Sequence, residues 1–160
     1  MSTLALIQRE LADLINADPR FARMGARAFA FDAADIWAEE QKWLAAADGM
    51  VEISVLTSSG RYLGDAALEG GGRGIRMDVS VEMVCIENPA LRQGAHGPAA
   101  VLCSALDVAE ALALRFNNDQ IRFRRFAQDA EPKGGTISVT AEFSTSAVLD
   151  PADGQQQNQE

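Results

Sequence analysis

The stretch IRMDVSVEMVCI (Ile75–Ile86) alternates without a break: Met77, Val79, Val81, Met83 and Cys85 fall on one face, and Arg76, Asp78, Ser80 and Glu82 on the other. A strand turns successive side chains to opposite faces, so a period of two marks a half-buried strand. Upstream, Val51, Ile53 and Val55 alternate with Glu52 and Ser54 in the same way, which predicts an antiparallel partner. The intervening Ser58–Gly74 is too long for a tight hairpin turn. It contains EGGGRG (Glu69–Gly74, with Arg73 inside it), and is expected as a mobile projecting loop.

Helical spacing frames this pair. Leu4, Ile7, Leu11, Leu14 and Ile15 form one apolar face, capped by Ser2 or Thr3 and ended at Asp18-Pro19. After the short stretch Ala28–Phe31, a second helix is expected over Asp32–Ala47, with Asp32 as N-cap and Ile36, Trp43 and Leu44 on its buried side. A third is expected over Ala99–Phe116, with Leu102, Leu106, Ala109, Leu112 and Phe116 as its stripe. Asn117-Asn118-Asp119 breaks it. Ile121 and Phe123 then alternate with Arg122 and Arg124, Glu131–Gly135 turns the chain, and Ile137–Leu149 alternates to the end of the fold. The expected order is α-α-β-β-α-β-β. It makes one α+β domain over residues 1–149, with a four-stranded, mostly antiparallel sheet and helices packed on one face. Residues 150–160 are expected as a disordered polar tail.

Composition narrows the function. With 160 residues the chain holds one core, and 48% hydrophobic with 23% charged residues is globular composition. A formal net charge of −9 argues against coating DNA, which needs concentrated Lys and Arg. No apolar run is long enough to span a bilayer, and the charged, amphipathic start reads as a helix, not a signal peptide. Cys85 and Cys103 have apolar neighbours and no CxxC spacing, so two buried reduced thiols are expected, as in a reducing cytoplasm.

Chemistry-bearing motifs are sparse. His96, the single histidine, lies in the Gly94–Gly97 loop without a carboxylate or cysteine cluster, and reads as a solvated loop residue. Gly70–Gly74 leads into a strand, not into a helix start with Lys and Ser or Thr, so it is no phosphate loop. Asp32, Asp35, Glu39 and Glu40 are explained by capping and solvation. No catalytic residue, cofactor or metal ligand is expected, and the chain does not read as an enzyme. The densest positive patch is Arg115, Arg122, Arg124 and Arg125. Either it is a solvated sheet face balanced by Glu142 on the neighbouring strand, or it meets the acidic face of an identical subunit or passing DNA. Trp37, turned away from its helix's buried stripe, and Tyr62 in the loop are candidate interface anchors. Arg73 joins them as a candidate contact.

The segments Asp32–Ala47 with Val51–Leu56, VSVEMVCIENPALRQG (Val79–Gly94), SALDVAEALALRF (Ser104–Phe116) and ISVTAEFSTSAVL (Ile137–Leu149) resemble small proteins of bacteriophage tails and necks. The element order is similar to that of the phage tail terminators, whose α+β subunits form a hexameric ring on the tail tube. The resemblance implies a virion protein of the tail or neck, assembled in the host cytoplasm, with no membrane association. Its implied partners are copies of itself, the tail tube and the head–tail connector, with DNA only as passing cargo. A connector stopper or tail-tube-associated subunit is the nearest alternative. A small cytoplasmic ligand-binding or enzymatic domain, with a pocket beneath the sheet, is the alternative of another class. The long alanine-rich N-terminal half and the Gln-rich tail depart from the terminator pattern.

Overall fold

The computed structural model describes residues 2–31, 50–88, 103–129 and 136–151. The expected Asp32–Ala47 helix, Trp37, His96, the Glu131–Gly135 turn and the last nine residues of the tail lie outside the described residues. The described elements are α1 (Thr3–Ala17), α2 (Pro19–Arg23), β1 (Ala26–Ala30), β2 (Val51–Ala67), β3 (Arg73–Glu87), α3 (Ala105–Arg115), β4 (Ile121–Gln128) and β5 (Ile137–Leu149).

The class is α+β, but the sheet has five strands, not four, in the order β1-β2-β3-β5-β4. β1 runs parallel to β2, and every other pair is antiparallel, so the sheet is mixed. β3, α3 and β4 form a crossover that leaves room for β5 to return between the two strands. The unexpected strand, ARAFA, has only small residues on its inner face, and α1 holds it in place. Asn16 Nδ2 donates to the Ala28 carbonyl (2.7 Å) while its Oδ1 accepts from the Ala28 N–H (2.8 Å), so one side-chain amide pairs the outer edge of β1 as a neighbouring strand would. Gln8, two turns earlier on α1, is buried and donates to the Phe31 carbonyl (2.9 Å). Its Oε1 accepts from the Thr57 N–H (2.8 Å) and hydroxyl (3.1 Å), tying α1 to both strands.

One core lies between the sheet and the helices. Val51, Ile53 and Val55, then Val79, Val81, Met83 and Cys85, then Val139, Ala141 and Phe143 are all buried on the face towards Leu11, Ile15, Val108 and Leu112. The alternation read in Ile75–Ile86 therefore holds. Phe143 sits at the centre, edge-on to Phe116 (6.3 Å) and Phe123 (5.7 Å). Two details differ from expectation. α3 begins at Ala105, with Ser104 and Asp107 forming a reciprocal capping box, and buries Ala105, Val108, Ala109 and Leu112 while Leu106 is exposed. On the opposite sheet face, Glu52 and Ser54 are buried too, so that face is enclosed at this end of β2.

Cys85 is buried and reduced, and Cys103 is half-buried at the core margin. Burial pushes the Cys85 thiol far above its ordinary value of 9.0, because the core cannot solvate a thiolate. Above that pH the unfolded chain releases a proton that the folded chain keeps, so folding weakens as pH rises. Urea melts between about pH 8 and about pH 10 should show wild type losing about 1.4 kcal/mol per unit more than Cys85→Ala at the alkaline end. Maleimide should label Cys85 only on unfolding.

Candidate functional site

Three surfaces collect the exposed, chemically distinct residues. The first is a β-hairpin arm. Residues 58–74, expected as a mobile loop, are instead the distal halves of β2 and β3 joined by a short turn. Leu68 N–H donates to the Gly72 carbonyl, and Gly70 and Gly71 take positive φ (94° and 87°), a conformation that only glycine adopts cheaply. Gly74 is also required: a Cβ there would lie 2.8 Å from the Leu149 carbonyl oxygen. From Ser58 to Leu63 every residue of β2 is exposed, while Ala66 and Gly74 nearer the turn are buried. Tyr62 (61% exposed), Leu63 and Ile75 are the large apolar groups it presents, with Val148 of β5 exposed as well. The Tyr62 hydroxyl donates to Asp65 Oδ1 (2.9 Å), which raises its pKa by favouring the protonated form. Arg73, at the base of the turn, lies 3.7 Å from Asp65 and is exposed, and Arg61 reaches Asp78 at 3.9 Å. Both pairs are solvated and hold little energy.

The second surface is the outer edge of β4. Strict alternation would put Arg125 opposite Arg122 and Arg124, but a bulge between Phe123 and Arg125 resets the register. Arg122 pairs with Ser144 and Arg125 with Glu142, neighbours on one face of β5, and Arg124 Nε donates to Ser144 Oγ (2.7 Å) on that same face. All three arginines thus line one face of the edge. Arg125 Nε also lies 3.2 Å from Glu142 Oε2, which helps Glu142 tolerate Glu82 directly across β3. Arg122 and Arg124 enter no ion pair among the described residues. Phe126, shifted to the core-side face by the bulge, is 59% exposed.

Arg115 does not join this strip. It closes α3, where its Nε lies 3.5 Å from Asp18 Oδ2 and its guanidinium stacks 5.0 Å over the Phe116 ring. Asp18 serves three elements: it ends α1, caps α2 through the Arg20 N–H (3.0 Å) and holds Arg115.

That contact walls the third surface, an open groove of about 680 Å³ between α1, the end of α3 and the start of β4. Ile7, Leu11, Leu14, Phe116 and Ile121 line it, with Glu10 and Asp119 beside them. Leu14, expected in the buried face of α1, is 48% exposed here. The far wall is rigid: Asn118 Oδ1 accepts from the Gln120 and Ile121 N–H groups (2.8 and 3.1 Å), and the Thr145 hydroxyl donates to the Gln120 carbonyl (2.7 Å). This groove leaves little mark on the linear pattern, because its lining comes from four separate elements.

Comparison with protein-family models and with curated proteins finds no match. Among the described residues no three His, Cys, Asp or Glu side chains gather where they could hold a metal ion. Among them, too, no helix is long and apolar enough to cross a membrane.

Proposed function

We propose that the chain is a structural subunit of a phage tail or neck, a tail terminator or completion protein acting as a closed ring of identical copies at the head-proximal end of the tail. The observation that carries this reading is the arm. An ordered hairpin that shows Tyr62, Leu63 and Ile75 to solvent suits docking to a larger body. Because the arm is already a paired hairpin, little ordering entropy is lost when it docks. In this reading it contacts the tail tube or the connector, while the arginine-bearing edge of β4 contacts a neighbouring subunit. Repeated contacts between unlike patches generate a ring when the rotation closes.

The groove favours a second reading, a ligand-binding domain, since its volume falls in the range of small-molecule sites. Its open mouth counts against that reading. Electron microscopy of the full chain mixed with tail tubes of the phage or prophage that encodes it tests the proposal. A ring seated at one tube end is expected. Tubes left bare at saturating protein would overturn it.

A further inference from the structure

We propose that the groove between α1 and the α3–β4 corner receives the Arg124–Phe126 edge of β4 from a second copy of this chain. This inference rests on the reading of the chain as a self-assembling subunit and adds which two faces meet. The two patches complement each other in charge. Around the groove, Glu10 and Asp119 are exposed and enter no ion pair among the described residues, and Arg115 is already held by Asp18. On the edge, Arg124 is held only by the neutral hydroxyl of Ser144, while Arg125 shares Glu142. Two anions, Glu10 and Asp119, thus border the groove without an ion-pair partner among the described residues, and Arg124 on the edge is a cation in the same state.

The two also match in apolar character. Phe126 is a largely exposed aromatic on the core-side face of the edge, directly after Arg124 and Arg125 in the chain, and Leu14 opens the apolar floor of the groove to solvent. The arm is the weaker occupant, because Arg61 and Arg73 are offset by Asp78 and Asp65 and leave it no net charge to offer. The edge also resists plain strand-to-strand pairing, since a bulge and three arginines blunt its ladder. Side-chain insertion into a groove avoids that obstacle. Donor and acceptor are different patches, so the contact runs head to tail and can close a ring.

A charge swap in the full chain, read by sedimentation velocity, tests this. Arg124→Glu alone and Glu10→Arg alone should each weaken self-association by about tenfold, and an equimolar mixture of the two variants should recover mixed dimers that neither forms alone. Phe126→Ser should weaken association at every salt concentration, without the salt dependence of the charge variants. Circular dichroism should leave all three folded, as expected for exposed sites. If wild type associates and the reversals leave its affinity unchanged, this contact is wrong while the assembly reading stands. A wild type that remains monomeric in solution overturns the contact, and the assembly reading then rests on tubes alone. If the groove instead binds an apolar dye equally well in monomer and oligomer, a small ligand or another protein is its occupant and the proposal fails.

Discussion

Phe143→Ala should destabilise the folded chain by about 3–5 kcal/mol, the range for removing a buried aromatic ring. Phe143 is fully buried, lies opposite Val81 on β3 and Phe123 on β4, and meets Phe116 from α3 edge-on. The loss should lower Tm by about 10 °C or more in a chain of this length. It should also strip protection from β4, which reaches the core mainly through Ile121 and Phe123. Leu114→Ala is the control: at 75% exposure it should change stability by less than about 0.5 kcal/mol. Equal effects from the two variants in thermal melts would show that the core is not where this packing places it.

Gln8→Leu has nearly the same volume as the native residue and yet should cost about 2–4 kcal/mol, because it leaves the Thr57 N–H and the Phe31 carbonyl without their partner. Gln8 is the buried polar residue of α1, and its three hydrogen bonds join that helix to β1 and β2. Hydrogen exchange should speed up at the amides of β1 and at Thr57 while β5 stays protected. A uniform loss across the sheet would mean that α1 and β1 do not form a separable unit.

These two residues also mark what sequence could and could not disclose. The centre of the sheet was legible because Val79 to Cys85 and Val139 to Phe143 alternate against polar partners, and each buried face leaves its period in the chain. β1 was not, since Ala26, Ala28 and Ala30 carry no β-branched signal and the strand is held by side chains 12 and more residues away. The arm was read as a loop for a related reason. Residues exposed on both faces have no reason to alternate, and the irregularities at Ser58 and Leu63 break what period remains.

The candidate surfaces were legible only in part. Arg122, Arg124 and Glu142 share a face as alternation required, but Arg125 joins them through a bulge that no local pattern announces. Arg115 is near them in sequence and far from them in role, since a helix C-terminus turns it towards Asp18. Trp37 lies outside the described residues, and Tyr62 is exposed on the arm. Leu14 carries a faint signal: it lies at the rim of the apolar face of α1, where a residue can serve either the core or a partner.

Assembly with copies of itself is the property proposed for this chain, and light scattering of the full chain across a concentration series, alone and with tail tubes added, measures it. One closed multiple of the subunit mass is expected, reached at high concentration or on the tubes, and weakened by Arg124→Glu. A strict monomer at high micromolar concentration that also fails to assemble on the tubes would contradict it.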